Sequence, residues 1–142
     1  MRIFAFARAV VLFVSLSVSG SWAFADADSQ YLGGAINTLD HFMQAGANGD
    51  ASRGAMLLEA FKINERRAEY DTQRLYKKQK ELLSSYVSVA SDLYGYEVQK
   101  GFRGASVELE GGIETRKGVT AEFKARVVYR NKEWLIVNLE ID

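Results

Sequence analysis

Residues 119–142 read VTAEFKARVVYRNKEWLIVNLEID, and this closing stretch decides the fold. Val119, Ala121, Phe123, Ala125, Val127 and Tyr129 alternate with Thr120, Glu122, Lys124, Arg126, Val128 and Arg130. Period two gives a strand one apolar face and one mostly charged face. Asn131-Lys132 breaks the run, and Trp134 to Ile141 forms a second strand. Strands joined this closely are antiparallel. Two loops compete. A two-residue loop at Asn131-Lys132 pairs Tyr129 with Trp134 and Val127 with Ile136. A three-residue loop through Glu133 pairs Tyr129 with Leu135 and Val127 with Val137. Asn131 suits the left-handed first position of a type I′ turn, which favours the two-residue loop. A bulge near Asn138 must then return Leu139 and Ile141 to the core. A lone hairpin cannot bury its apolar face, so the preceding residues must cover it.

Working backwards, Arg116-Lys117-Gly118 is a turn, and two further runs of period two precede it. Tyr94, Tyr96 and Val98 mark a strand over about Leu93 to Phe102. Ala105, Val107 and Leu109 mark another, interrupted at Gly111-Gly112 by a bulge or bend. Before Asp92 the period is helical. Tyr31, Leu32, Ala35, Ile36, Leu39, Phe42 and Met43 predict an amphipathic helix from Ser29 to Ala45. Gly33-Gly34 weakens its start by about 1 kcal/mol per Gly, which suggests close packing of another element there. Gly46 or Gly49 supplies a left-handed cap. Asp50 caps a second helix to about Arg67, and Asp71 a third to about Ala90, the break falling over Asn64 to Ala68. The predicted order is three helices, then a four-stranded antiparallel sheet: an α+β fold.

The first 25 residues read differently. Arg2 and Arg8 precede an apolar stretch from Ala9 to Gly20, and Ala23-Phe24-Ala25 is a small-x-small cleavage site. These are the marks of a secretory leader cut after Ala25. The stretch is shorter than the roughly 20 apolar residues of a membrane span and carries three serines, so no stable span is expected after cleavage. The predicted location is the periplasm or the outside of the cell. Residues 26–142 then form a single domain with 16 cationic side chains against 18 acidic ones, since both leader arginines are removed. That balance speaks against nucleic acid as a partner, which needs a basic footprint. With no Cys there is no disulfide, no thiolate metal site and no lipid-modified cysteine.

Leu39-Asp40-His41-Phe42-Met43-Gln44-Ala45-Gly46, followed by Asn48-Gly49-Asp50, resembles the first helix and turn of nuclear transport factor 2-like (cystatin-like cone) domains. The closing Phe123-Lys124-Ala125 and Asn131-Lys132-Glu133-Trp134-Leu135-Ile136 is similar to their last hairpin. The likeness is strongest to small exported bacterial members of unassigned function. It implies a curved sheet wrapped on helices, a conical pocket between them, and Trp134 on the inside. Enzymes with this fold, such as ketosteroid isomerases, carry an ionisable acid–base pair in the cone. No position here matches such a pair, because Glu108, Glu110, Glu122, Lys124 and Arg126 all lie in the register opposite the apolar one.

The remaining chemistry is sparse. His41 is the only imidazole, and positions three and four residues away on its helix face (Asn37, Thr38, Gln44 and Ala45) offer no acid to orient it. No spacing implies a metal or another cofactor. Gly101-Phe102-Arg103-Gly104 fits an RNA-clamping GxxG but reads more simply as a turn. The basic run Arg66 to Lys80 is interleaved with Glu69, Asp71 and, just beyond it, Glu81, as on a solvated helix face. The expectation is therefore an exported, non-enzymatic binding or interaction module. A small apolar ligand would sit in a cone lined by Phe42, Tyr86, Tyr96, Phe123 and Trp134. The alternatives are a small enzyme of isomerase or dehydratase type using tyrosine hydroxyls and His41, or a structural envelope protein. Outside the hairpin, Val128, Leu135 and Val137 would form an apolar patch suited to a homodimer.

Overall fold

The computed structural model describes residues 22–142, with side chains from Asp28 onward. Of the expected leader, residues 1–21 lie outside the described residues. Five helices precede four strands: α1 (Trp22–Ala47), α2 (Ala51–Ala55), α3 (Glu59–Ile63), α4 (Glu65–Lys78), α5 (Lys80–Ser84), then β1 (Tyr86–Gly101), β2 (Gly104–Thr115), β3 (Gly118–Arg130) and β4 (Glu133–Ile141). The strands form one antiparallel sheet in the order β1-β2-β3-β4. The fold is α+β.

The last hairpin takes the two-residue loop. Tyr129 pairs with Trp134 and Val127 with Ile136, and a bulge at Val137 sets Arg126 opposite Asn138. Leu139 and Ile141 thereby return to face Ala125 and Phe123. Asn131 and Lys132 adopt φ of 54° and 63°, the left-handed pair that a type I′ turn requires. Earlier in the chain, Asp50 accepts from the Arg53 amide at 3.1 Å to cap α2, after Gly49 turns the chain at φ +72°.

Three helices were expected, and five are present among the described residues. The expected second helix leaves helical geometry at Met56–Leu58, because that segment has a sheet partner. The Ile136 amide donates to the Leu57 carbonyl at 2.8 Å, and Leu58 forms a single parallel bridge with Ile136, a rudimentary fifth strand on the β4 edge. The next break is at Asn64, whose side chain accepts from the Arg67 amide at 3.1 Å and caps α4. Asp71, read as a cap, lies within α4 and accepts from Arg67 Nε at 3.2 Å, one turn earlier. The expected third helix ends at Ser84, because Tyr86 and Ser88 find strand partners in Thr115 and Glu114. A pairing partner outweighs the helical spacing of Leu82, Tyr86 and Val89.

The core lies between α1 and one face of the sheet. Leu39, Phe42 and Met43 from α1 meet Val107, Leu109, Ile113, Phe123, Val127 and Ile136, all 4% exposed or less. Each such side chain contributes about 1.5–3 kcal/mol. Tyr76 fastens α4 to this layer. Its ring lies 5.1 Å from that of Phe42, and its hydroxyl donates to the Phe42 carbonyl at 2.5 Å. A Cβ on Gly54 would stand 2.0 Å from that hydroxyl, so α2 approaches it closely only as glycine.

One buried polar atom stands out on the same helix face. Thr72 is 1% exposed, and its hydroxyl has no hydrogen-bond partner among the described residues. Such a group costs roughly 1–3 kcal/mol. Thr72→Val keeps the shape and removes the hydroxyl, so it should raise unfolding stability by about 1 kcal/mol, read as a higher urea midpoint at an unchanged slope.

Candidate functional site

The residues expected to line a cone are mainly packing groups. Phe42 and Phe123 are buried in the core, at 1% and 3% exposure. Trp134 lies against α1 so closely that a Cβ on Gly34 would stand 2.3 Å from its Cζ2. Gly34 is thus the close-packing glycine of the Gly33-Gly34 pair, while Gly33 meets nothing within 4 Å. Tyr31 adds edge contacts to Tyr129 and Trp134, each at 6.2 Å between ring centres, and closes that end of the α1–sheet interface with aromatic rings. Tyr96 is half-buried, pairs with Leu109 and packs against the core on the α1 side of the sheet.

Two of the tyrosine hydroxyls are already engaged inside the fold. Tyr86 donates to Asp40 Oδ1 at 2.5 Å, and Tyr76 to the Phe42 carbonyl. Burial, then the hydrogen bond and charge of Asp40, raise the Tyr86 pKa far above its ordinary value. Burial first and the Asp50 charge second do the same for Tyr76. Both stay protonated donors and make poor bases. His41 is exposed on the rim of a separate cleft of 370 Å³, with Gln44, Asn48, Asp50, Arg53 and Met56. The nearest acid there, Asp50, is occupied with capping α2. His41 and the tyrosine hydroxyls do not converge. Among the described residues no group of three or more His, Cys, Asp or Glu is placed to hold a metal ion.

Polar groups converge instead on the outer face of the sheet, away from α1. The strand register sets Glu97, Glu108, Arg126 and Asn138 in one row, and Gly95, Glu110, Lys124 and Glu140 in the next. A groove of 490 Å³ runs over these rows. Gly95 borders it, and the bulged Val137, 38% exposed, adds an apolar wall. Arg126 donates to Glu108 Oε2 from Nε at 3.0 Å and again from Nη2. Glu97 faces Glu108 directly across the strands, a destabilising like-charge pair that Arg126 partly offsets. Glu110 is 4% exposed. The lining holds four carboxylates against two cations. The sequence placed Glu108, Glu110, Lys124 and Arg126 in this register. The groove itself was missed, because it depends on which strands adjoin and on where β4 bulges.

The patch expected at Val128, Leu135 and Val137 needs correction. Val128 and Leu135 are 3% and 6% exposed within a single chain, leaving only Val137 partly bare. The chain itself crosses this end of the outer face. Arg130 Nη1 meets Glu59 Oε2 at 2.6 Å and Lys62 Nζ meets Glu133 Oε2 at 2.9 Å, tying α3 over residues that share a face with Val128 and Leu135. The apolar area that would have driven a second copy onto this face is already covered.

Compared with family models and with curated proteins, the chain matches none.

The raised tyrosine pKa values imply a pH dependence with a definite sign. Folding holds these phenols protonated, so their contribution is present below the ordinary tyrosine value near 10 and is lost as pH rises past it, where the unfolded chain releases the protons first. The urea midpoint should therefore fall above pH ~10. Tyr86→Phe should lower stability by about 1 kcal/mol at neutral pH and make the alkaline fall shallower.

Proposed function

We propose that the protein is an exported, non-enzymatic binding module of the nuclear transport factor 2-like cone type, whose ligand lies in the groove on the outer face of a curved sheet rather than inside the cone. The leader-like first 25 residues support export to the periplasm or beyond. The α+β order and the first-helix and last-hairpin motifs support the cone type, and the bulges in β1, β3 and β4 are the kind that bend a sheet.

The observation that carries the binding reading is the contrast between the two faces. The inner face is filled by Trp134 on Gly34 and by Phe42 and Phe123. The outer face holds an open groove with an apolar wall and a surplus of carboxylates. Convergent polar groups beside an apolar wall give a small ligand both orientation and shelter. The surplus of negative charge selects a ligand carrying a positive group, such as an amine or a basic side chain on an extended peptide. Catalysis is not part of this reading: Arg126 is tied to Glu108 within the groove, and Asp50, the acid beside His41, caps α2.

Native mass spectrometry of the protein purified from its exporting host is the test. The expected result is a co-purifying small cation or peptide, lost in an Asn138→Trp variant that fills the groove from its exposed wall without touching the core. A ligand retained at full occupancy in Asn138→Trp would move the site elsewhere. A ligand-free wild type with no affinity for amines or basic peptides in titration would end the binding reading.

A further inference from the structure

Both outer hairpins turn at the same end of the sheet. Gly101 pairs with Gly104 to close β1–β2 over Phe102-Arg103, and Gly104 pairs with Arg130, which pairs with Glu133 to close β3–β4 over Asn131-Lys132. The two tips therefore stand side by side. Asn131 and Lys132 suit their turn. Phe102 does not suit its own: turns favour Gly, Asn, Asp, Pro and Ser, and a Phe carries 150–250 Å² of apolar surface that folding would normally bury. Here its exposure is 104%. A side chain that contradicts both turn chemistry and burial points to a role outside the fold.

Its surroundings specify that role. Ile63, at the end of α3, is 83% exposed, and its neighbour Lys62 is held at Glu133 beside the second tip. Five cations gather at this end: Lys62, Lys100, Arg103, Arg130 and Lys132. Three are matched, Lys62 by Glu133, Arg130 by Glu59, and Lys100 by Asp28 at 3.3 Å. Among the described residues Arg103 and Lys132 make no ion pair, so the tips carry the surplus positive charge. The groove, by contrast, carries surplus negative charge.

The path of α1 leads to the same place. Trp134 lies on Gly34, Tyr31 contacts Tyr129, and Asp28 reaches Lys100, so α1 approaches the tips as it runs toward its N-terminus. Six more helical residues precede Asp28, about 9 Å at 1.5 Å each.

We infer that the hairpin-tip end is a membrane-docking surface, on which Phe102 at the first tip and Ile63 near the second enter the boundary of an anionic lipid bilayer while Arg103 and Lys132 meet the phosphates of its headgroups. Exposed aromatic and aliphatic side chains partition into that boundary, and unpaired cations beside it are attracted to the negative surface potential. Among the described residues no helix is long and apolar enough to cross a membrane. The contact is one of side chains at the surface.

The test reads which end of the molecule meets lipid. The mature chain, residues 26–142, which keeps Trp134 alone of the two tryptophans, is given a single reporter, Phe102→Trp at this end or Val119→Trp at the other. The other end is a fair control, because it is also basic through Arg116 and Lys117 and Val119 is 47% exposed there. Each variant is reconstituted with phosphatidylglycerol-rich vesicles whose acyl chains are brominated. Trp134, packed on α1, contributes the same background to both. The expected result is blue-shifted, quenched emission for Phe102→Trp, no added quenching for Val119→Trp, and loss of the Phe102→Trp quenching when Arg103→Glu and Lys132→Glu are added. Equal quenching at the two ends, no quenching at either (as for a surface that takes a protein partner), or quenching indifferent to the charge reversals would overturn the inference.

Discussion

The rest of the structure depends on the Asn131-Lys132 turn, whose two left-handed residues set the register of β3 and β4. In a strand, a slip of one residue exchanges the faces of every side chain that follows. With this register Trp134 faces α1 and finds the space left by Gly34, while Leu135 joins Val128 on the outer face. The bulge at Val137 is the second half of the same constraint. It swings Leu139 and Ile141 back to the core and leaves Val137 in the wall of the groove. One turn and one bulge thereby distribute all the large apolar groups of the last strand.

The helices answer to the sheet rather than to their own propensity. α2, α3 and α5 have five residues each, too short to persist alone. Each is held by a contact outside itself. α2 sits on Tyr76 through Gly54. α3 is drawn over the β4 edge by Leu57, Leu58 and two ion pairs, and α5 contributes Leu83 to the core. Exposed ion pairs contribute only about 0–1 kcal/mol, so the Leu57–Ile136 hydrogen bond and the apolar side chains beneath do most of the holding. This short wrap also protects the β4 edge and covers two apolar residues that would otherwise face water.

Charge is divided by region. Carboxylates outnumber cations in the outer-face groove, whereas the hairpin tips carry the unpaired Arg103 and Lys132. The chain as a whole is neutral, with eighteen of each sign. A neutral total therefore hides two surfaces of opposite charge. The enzyme alternative loses ground on geometry. The Tyr86 and Tyr76 hydroxyls donate to Asp40 and to a carbonyl inside the core, while His41 lies on the surface beside a different cleft.

The sequence by itself determined the fold class, the strand order and the final register. These rest on local chemistry: period-two alternation from Val119, the turn preference of Asn131, and the capping oxygen of Asp50. It also announced close packing at Gly33-Gly34, though not which of the two glycines would receive Trp134. What only the tertiary structure decided were features whose partners lie far along the chain. Met56 to Leu58 leave the helix for a strand partner nearly eighty residues away, and Tyr86 to Ala90 leave helical spacing to pair with β2. Val128 and Leu135 look exposed in sequence and are buried under a segment whose helical stripe gave no hint of crossing the sheet. The groove needs three strands aligned at once, and the tip surface needs two hairpins and the start of α1 to meet at one end. Periodicity reports which side of an element is apolar; it carries no information about what comes to lie against that side.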